Sequence, residues 1–528
     1  MKRGMFKAVT VVAPLLVAAA GCTDPTVAPL STVAGTNIWN DPSAYAQYMA
    51  KLYAGLVVTS QIGPNDPGFQ NGDIKQIDEG TSEFLRLNWY MQELPTDEAV
   101  IGWNDPGVPE LNKWQWNSTN TITQAMYYRV YFQAVLANEF LRQTTSNLLD
   151  QRGVGTALRA QIQNYRAEAR FLRAYAYWVG LDFYGDIPLV TEADPIGGPP
   201  PAQVSRDSVY RYVVSELNAI VDSLPAPAGA STYGRATPAT ANMLLAELYL
   251  NAGVYTGTDD YADALTAASN VINSGLYTLE SNYLHNFTSD NNTSTEVIWA
   301  AIQDGTHTQT WGGMTFLVHA GCGGSMVPAD YGIDYCWGGY RMKQQASRLF
   351  SPGDVRGSFI YTNGQTDSVI DISNFNNGYA GPKFTNLTST GGAGSQTTMI
   401  DTDFPIFRLG EAYLIYAEAA VRTGTNVAQG VTYFNALRER AYGDATHDIT
   451  APQMTLDTLL AERGRELLFE ARRRTDLIRF GLFTGGTYVW AWKGNAAGGT
   501  ATDAHFNLYA LPQNELSANP NLKQNPGF

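Results

Sequence analysis

The feature that most constrains the fold of this chain is a long segment, residues 157–184, with the periodicity of an amphipathic α-helix. Its apolar residues recur at steps of three and four, at Ile162, Tyr165, Ala169, Leu172, Ala176, Val179 and Phe183. This spacing puts one continuous apolar stripe on one face of a helix. We expect the helix to end at Gly185, which can adopt a left-handed backbone, and Pro188 to open an extended exit. The segment therefore predicts one edge of a packed helical hairpin.

Other segments with helical periodicity occur in pairs. The motif Asn40-Asp41-Pro42 begins a first helix. Further helices are predicted at residues 121–148, 205–224, 237–252, 261–274, 409–422, 427–441 and 456–480. Alanine-rich paired helices with small residues where they cross are typical of tetratricopeptide-type repeats. Insertions break the period, so we predict a mainly α fold, with a tetratricopeptide-like helical-pair scaffold, large irregular loop-rich insertions and a few short strands.

The composition divides the chain into a scaffold and insertions. Residues 64–118 and 277–403 are loop-rich, and Gly, Asn, Thr and Ser dominate the second of these segments, which also has a short β-like run from Val297. We expect one body over residues 37–528, with scaffold at about 37–63, 119–276 and 404–482 and a C-terminal segment at 483–528. Long irregular segments on a rigid scaffold are where binding sites usually lie, so the two insertions are the expected ligand-binding regions.

The N-terminal residues 1–21 have the features of an export signal. Lys2, Arg3 and Lys7 precede an apolar run at 8–20 that is too short to span a bilayer. Small residues followed by Cys22 are similar to a bacterial lipobox, in which Cys22 would carry the lipid; an ordinary signal peptide with an incidental cysteine is the alternative. Residues 22–36 are then expected to form a flexible tether. No later segment is apolar and long enough to span, so attachment would be through lipid only.

Charge and cysteine content exclude several classes of function. The formal net charge of −15 disfavours binding to nucleic acid or anionic lipid, and suits neutral or cationic ligands. Two further cysteines, Cys322 and Cys336, are expected to form a disulfide in an oxidising compartment. A zinc site that adds His307 and His319 is the alternative, but the spacing matches no common zinc motif. We therefore expect no metal and no cofactor.

Several motifs occur in an order that resembles a known family. They are RAEARFLRAYAYWVGLDFYGDIPLV at 166–190, FPIFRLGEAYLIYAEAAVRTG at 404–424, ERGRELLFEARRRTDLIRF at 462–480 and LYALPQNELSANPNLKQNPGF at 508–528. Together with TDEAV at 96–100 they resemble the SusD/RagB family of outer-membrane nutrient-binding lipoproteins. The resemblance implies a lipid-anchored protein of the outer membrane that faces the cell exterior. It also implies a partner, a SusC-like TonB-dependent β-barrel transporter, and a ligand that is an oligosaccharide or a peptide. Members of the family are not enzymes.

Aromatic residues in the insertions are the candidates for ligand contact. Sugar rings stack on aromatic faces, and their hydroxyls pair with amides and carboxylates. The candidate ligand-binding residues are Trp103, Asn104, Asp105, Trp114, Trp116, Trp311, Tyr335, Trp337 and Tyr340. The resemblance favours Trp103 and Trp337, which match aromatic-bearing loops near the family's ligand site. The alternative is that these tryptophans pin long loops by packing. Trp178 and Trp299 lie in regular patterns and are predicted to be core.

Two other classes of function compete with binding and delivery. An exported glycan-degrading enzyme on a helical scaffold would need two carboxylates at hydrolytic separation. Glu462, Glu466 and Glu470 stack at i,i+4, but the same segment is rich in arginine, so we predict a structural ion-pair network and no catalytic residue. A tetratricopeptide-type assembly scaffold would instead bind a peptide in a concave helical groove.

Overall fold

The computed structural model describes residues 38–61, 64, 72–75 and 77–528. The predicted signal peptide, Cys22 and the predicted tether lie outside the described residues. The α-helices of the described part are α1 (Ala44–Ala54), α2 (Phe84–Glu93), α3 (Val108–Lys113), α4 (Thr121–Gln143), α5 (Ser146–Gln151), α6 (Thr156–Tyr184), α7 (Arg206–Ile220), α8 (Pro238–Leu250), α9 (Ala252–Thr256), α10 (Tyr261–Ile272), α11 (Gly313–Ala320), α12 (Gln344–Ser347), α13 (Leu409–Thr423), α14 (Val427–Tyr442), α15 (Leu456–Glu466), α16 (Arg473–Arg479) and α17 (Gln513–Ala518). The prediction of a mainly helical protein is confirmed.

Short strands accompany the helices. They are β1 (Ala99–Ile101), β2 (Ile187–Pro188), β3 (Gln203–Val204), β4 (Val297–Ala301), β5 (Tyr340–Met342) and β6 (Phe404–Arg408). They pair antiparallel as β1 with β5, β2 with β3, and β4 with β6. Each pair joins segments that are distant in the sequence except β2 with β3. The pairs therefore fasten the irregular segments to the helical scaffold.

The helices pack as a series of neighbouring pairs, in which the long helix α6 lies between α4 and α7. Helix α4 packs on α6, α6 on α7, α8 on α10, α10 on α13 and α13 on α14. The stripe that predicted α6 is buried, with Ile162, Ala169 and Phe183 fully inside. Helix α6 ends at Gly185, whose φ of 71° is readily adopted only by glycine. The predicted hairpin edge is therefore confirmed. Trp178 and Trp299 are core, as predicted.

Part of the predicted insertion 64–118 is a core helix and not a loop. All ten residues of α2 are buried, and Glu83 caps it by accepting hydrogen bonds from the N–H groups of Leu85 and Arg86. Its polar residues, Arg86, Asn88, Gln92 and Glu93, are buried together with its apolar ones, and a sequence pattern does not report such contacts with distant segments. The expectation that residues 64–118 are loop-rich throughout was wrong at this position.

The predicted final helix at 456–480 is broken in the middle. Helix α15 ends at Glu466 and α16 begins at Arg473, and between them Phe469 and Ala471 have left-handed φ values of 63° and 58°. The N–H of Phe469 donates to Glu98, at 2.9 Å between N and Oε2. Tertiary contacts thus satisfy the backbone of the interruption and override helical propensity, which sequence periodicity does not report. No helix among residues 38–61, 64, 72–75 and 77–528 could cross a membrane.

Candidate ligand-binding site

The pairing of β1 with β5 brings two predicted ligand-binding segments together. In this ladder Ile101 lies opposite Tyr340, so the chain that leaves β1 and the chain that enters β5 meet at the same edge. Trp103 follows β1 and Trp337 precedes β5. Their ring centroids are 6.2 Å apart, with 43° between the ring planes. The two residues that the resemblance favoured are therefore neighbours in space.

Trp337 is the centre of a group of four aromatic side chains, Trp103, Trp311, Tyr335 and Trp337, which we call the aromatic platform. The ring of Trp311 lies 6.2 Å from that of Trp337, and Tyr335 lies 6.3 Å from it. The planes of these two rings are tilted from that of Trp337 by 50° and 39°. Tyr335 is 48 % exposed, and the three tryptophans are partly buried. The platform thus offers several tilted aromatic faces at the surface of the protein.

The buried side of Trp337 rests on His319 at the end of α11. The two rings stack with centroids 4.8 Å apart and 22° between planes. The imidazole Nδ1 lies 2.7 Å from the carbonyl oxygen of Tyr335, and Nε2 lies 3.0 Å from that of Thr398. Burial lowers the pKa of His319, and the two carbonyl oxygens and the nearby Asp334 oppose that effect. His319 therefore joins the Trp337 segment and the Thr398 segment to α11.

The backbone of the Trp337 segment is fixed as firmly as its ring. Cys322 and Cys336 form a disulfide in the structure, with Cα atoms 4.8 Å apart. The N–H of Trp337 donates to the backbone carbonyl oxygen of His319, and the N–H of Gly339 donates to that of Ala320. The distance between nitrogen and oxygen is 2.9 Å in each bond. A Cβ at Gly339 would lie 2.8 Å from the indole of Trp103, so glycine allows the close approach of Trp103 to this segment.

Two glutamates, the partly buried Glu79 and the buried Glu83, hold the segment that carries Trp311. Glu79 accepts hydrogen bonds from the N–H of Trp311 at 3.0 Å and the hydroxyl of Thr310 at 2.8 Å. Glu83 accepts one from the N–H of Gly313 at 2.9 Å, in addition to capping α2. Burial raises the pKa of Glu83 to about 7, and its backbone N–H donors limit that rise. Trp311 is thereby attached to the start of α2.

Asn104 and Asp105 lie at the exposed rim beside Trp103. Both side chains are at the surface and follow directly from a ring of the platform. Their amide and carboxylate are the groups that pair with sugar hydroxyls. The structure therefore brings six of the predicted contact residues to one surface, namely Trp103, Asn104, Asp105, Trp311, Tyr335 and Trp337.

Three predicted contact residues are corrected by the structure, because they lie in the core. Trp114 is 3 % exposed and packs on Phe483, with ring centroids 4.5 Å apart. Trp116 is 2 % exposed and packs on Phe506 at 4.8 Å. Tyr340 is fully buried, and its hydroxyl donates to a carbonyl oxygen of α11. For Trp114 and Trp116, the C-terminal segment after α16 covers the rings. The sequence around Trp114 and Trp116 resembles that of a surface loop, so it did not show that a later segment buries the two rings.

Sequence reasoning missed the side chains that support the platform. Glu79, Glu83 and Arg86 lie more than 200 residues from the Trp311 segment that they hold, whereas His319 lies 18 residues from Trp337. Arg86, for example, is 225 residues from Trp311, to whose carbonyl oxygen it donates. His319 was considered only as a zinc ligand. No local motif distinguishes such residues from ordinary core residues, so only the tertiary structure identifies them.

The other chemistry considered from the sequence has no support at this site. Within the described ranges, no group of three or more His, Cys, Asp and Glu side chains could hold a metal ion. His307 is exposed and pairs with Asp304. Glu462 and Glu466 are buried and share Arg356, with oxygen to nitrogen distances of 2.5 and 3.0 Å. The predicted structural ion-pair network is therefore confirmed.

The chain belongs to the SusD family. A family model described as the SusD family matches residues 337–528, and one described as "Starch-binding associating with outer membrane" matches residues 82–250. The chain is 33 % identical over 533 aligned positions to the starch-binding protein SusD of Bacteroides thetaiotaomicron, covering 90 % of this chain and 91 % of that protein. The resemblance of the sequence motifs to this family is therefore confirmed.

Solved structures share the fold at lower sequence identity. A SusD superfamily protein from Parabacteroides distasonis has a TM-score of 0.71 and 20 % identity, with 92 % of this chain and 99 % of that chain covered. Surface glycan-binding protein A from Bacteroides thetaiotaomicron, solved in complex with laminarihexaose, has a TM-score of 0.69 and 20 % identity, with 91 % and 98 % covered. These similarities establish the SusD fold for the helical scaffold and its irregular segments.

Proposed function

We propose that this protein binds an oligosaccharide on the aromatic platform and delivers it to a SusC-like TonB-dependent transporter, without catalysing a reaction. The observation that carries the proposal is the convergence of four surface rings from three distant segments around Trp337. Convergent rings that are at least partly exposed, with an amide and a carboxylate at their rim, suit stacking on sugar faces and hydrogen bonding to hydroxyls. Shallow stacking gives modest affinity, which suits a protein that must also release its ligand.

The tilt of the rings favours a curved glycan. Three rings surround Trp337 at 39–50° to its plane, which suits a chain that bends from one sugar to the next. Coplanar rings would stack better on a flat, ribbon-like glycan. The relative with 33 % identity is named a starch-binding protein, and starch is a coiled α-glucan. We therefore propose linear α-glucan oligosaccharides as the first ligand class.

The proposal includes location and organisation. Family membership and the family description "associating with outer membrane" support an outer-membrane protein. We propose lipid attachment at Cys22, a tether at 22–36 and exposure to the cell exterior, with residues 37–528 as one body. Within that body the second insertion, 277–403, supplies Trp311, Tyr335 and Trp337, and the first supplies Trp103. Family membership supports a transporter partner, which we propose to test by co-purification from outer membranes.

Replacing the central ring tests the proposed site. Trp337→Ala should weaken binding of maltoheptaose at least about tenfold, or ~1.4 kcal/mol, because the sugar loses its main stacking surface. The melting temperature should change by less than about 3 °C, because the ring is partly exposed. Titration calorimetry and thermal unfolding measure the two quantities.

The matched control is Tyr433→Ala, which removes a partly buried ring that stacks on Tyr413 between α13 and α14. It should leave the affinity for maltoheptaose unchanged. Laminarihexaose serves as the second probe, and an assay for new reducing ends should stay at background with both glycans. Unchanged binding by Trp337→Ala would contradict the proposed site, and release of reducing ends would favour an enzyme.

A further inference from the structure

A groove among the described residues runs along the outer side of helix α4. It has a volume of about 460 Å³ and is lined mainly by aromatic and aliphatic side chains, with two charged ones at its edge: Asp73, Ile74, Lys75, Tyr128, Tyr131, Phe132 and Val135. The three rings are partly exposed, and Val135 is 55 % exposed. We call this surface the α4 groove. Apolar side chains that are accessible together mark a surface that binds another segment of protein.

Ion pairs surround Phe132 at one side of the α4 groove. The carboxylate of Asp73 lies 3.1 Å from Nζ of Lys51 and 3.5 Å from Nη1 of Arg129. The same two cations lie over the ring of Phe132, at 5.5 and 5.8 Å from its centroid. A charged ligand would compete with these contacts, whereas an uncharged apolar segment would leave them intact. The α4 groove therefore suits an uncharged apolar segment.

The described part of the chain begins beside the same helix. Trp39, the second residue that the structure describes, packs on Phe140 of α4, with ring centroids 6.1 Å apart. Val135 and Tyr128 lie about 8 and 18 Å from Phe140 along the helix axis, at about 1.5 Å per residue. Five residues of extended chain before Ile38 cover about 16 Å and ten cover about 31 Å, at about 3.1 Å per residue. The segment that precedes Ile38 is therefore long enough to reach and cross the α4 groove.

The sequence of that segment matches the α4 groove. Residues 25–37, PTVAPLSTVAGTN, carry no charged side chain and include two prolines. Proline favours the polyproline II helix, which has three residues per turn. Val27, Leu30 and Val33 recur at steps of three, so in this conformation they share one face. Grooves lined by aromatic rings bind such helices, because a preformed extended segment loses little entropy when it is bound.

We propose that residues 27–33 bind the α4 groove of the same chain as a polyproline II segment, with their apolar face against the rings. This inference goes beyond the proposed function and does not depend on glycan binding. If Cys22 carries the lipid, docking leaves five residues, about 16 Å of extended chain, between Cys22 and Val27. Without docking, the extended chain from Cys22 to Ile38 would cover about 50 Å. Docking thus holds the body close to the membrane, with α4 on the side of the lipid.

Cysteine cross-linking in the full lipidated chain tests the docking. Leu30→Cys and Val33→Cys should each form a disulfide with Val135→Cys at least about tenfold faster than Ser31→Cys and Thr32→Cys do, because only the first two share the face that contacts the groove. Mass spectrometry of peptides after mild oxidation measures the rates. Equal rates at the four positions would overturn the inference. Bonds between two copies, detected by mixing chains labelled with different nitrogen isotopes, would assign the groove to a second copy and would also overturn it.

A substitution in the α4 groove that leaves the fold intact provides a second measurement. Val135→Asp changes an exposed side chain, so the melting temperature should change by less than about 3 °C. A nitroxide attached at Ser31→Cys should move slowly in the otherwise wild-type chain and rapidly with Val135→Asp, because docking would bury the new carboxylate. The matched control is Leu276→Asp, at a residue 54 % exposed and outside the groove, which should leave the motion slow.

Electron paramagnetic resonance of the purified chain, without glycan or transporter, measures the motion of the nitroxide. Rapid motion in the wild-type groove would overturn the inference. Slow motion only after the transporter is added would assign the groove to that partner and would overturn it as well. A chain that binds no glycan would contradict the proposed function, while the cross-links and the nitroxide would still decide whether residues 27–33 dock.

Discussion

Single buried side chains determine the form of the candidate site. His319 supports Trp337, Arg86 contacts Trp103 and Trp311, and Glu83 attaches the Trp311 segment to α2. Each of these residues joins two segments that are distant in the sequence. The rings that would touch a ligand are at the surface, whereas the groups that decide their geometry are inside. Variation at the inner positions should therefore change binding without changing any contact residue.

The raised pKa of Glu83 predicts how the stability of the fold depends on pH. The pKa of Glu83 is raised to about 7 by burial, above the 4.5 of an exposed glutamate. Between these values the folded protein holds a proton that the unfolded chain has released, so lowering the pH stabilises the fold through this group. Glu83→Gln cannot titrate. The melting temperature of the wild type relative to Glu83→Gln should therefore rise as the pH falls from about 8 to about 5.

Comparison with the variant at each pH cancels the other titrating groups, which both proteins share. Thermal unfolding at several pH values measures the difference. A difference that stays constant across the range would show that Glu83 titrates at its ordinary value. If the melting temperature of the wild type instead falls relative to that of Glu83→Gln in acid, the folded state lowers the pKa of Glu83.

The sequence predicted all four rings of the platform, but it also predicted three aromatic residues that are buried. Trp103 and Trp337 could be identified because loop tryptophans beside glycines and amides match a family pattern. Trp114 and Trp116 carry the same local signals, yet a segment nearly 400 residues later covers them. Exposure is a property of the tertiary structure, so the sequence alone could not distinguish the partly exposed Trp103 and Trp337 from the buried Trp114 and Trp116.

At the level of elements, periodicity predicted the helices that have one buried face. Helices α6, α13 and α14 match the predicted segments to within one residue. The fully buried helix α2 was missed, because its polar residues are buried in contacts with distant segments that a sequence pattern does not report. The break between α15 and α16 was also missed, because the carboxylate of Glu98 from another element stabilises it. Sequence patterns thus report one-sided burial well and contacts between distant elements poorly.

An ion-pair cluster joins β6 to α15 and to the residues around it. Arg408 lies 2.6 to 2.7 Å from carboxylate oxygens of Glu296, Glu466 and Glu470, and all four side chains are buried. Arg440 also contacts Glu466, and the arginines hold the pKa of Glu466 well below its usual range. The carboxylates that suggested an enzyme therefore form structural ion pairs between elements.

Removing Arg408 should be among the most damaging single substitutions in the protein. Arg408→Met leaves three buried carboxylates with less compensation, which costs about 3–5 kcal/mol in comparable buried pairs. Chemical denaturation measures this loss in the free energy of unfolding. The control is Arg211→Ala, which breaks the exposed i,i+4 pair with Asp207 and should cause no measurable change. If Arg408→Met is as stable as the control, the cluster does not contribute to the fold.

At the scale of the whole molecule, the helical scaffold and the ligand site are built from different parts of the chain. The scaffold uses several pairs of helices that are close in sequence, such as α8 with α10 and α13 with α14, and the contact of α10 with α13 joins these pairs across a long insertion. The platform instead needs β1 to meet β5, more than 200 residues later. This explains why the scaffold followed from the sequence alone, whereas the site required the family resemblance to place Trp103 beside Trp337.

The net charge of the molecule predicts how binding responds to salt. The chain has a formal charge of −15, yet the platform offers rings and neutral amides beside few charges. Stacking on a neutral glycan releases no counterions, so the dissociation constant for maltoheptaose should change less than about twofold between about 0.05 and 0.5 M NaCl. An acidic oligosaccharide should bind more weakly at low salt, and its affinity should rise as salt screens the repulsion. Calorimetric titrations of both glycans across this range test the argument. A steep loss of maltoheptaose affinity with salt would show that charged groups, and not the rings, carry the binding.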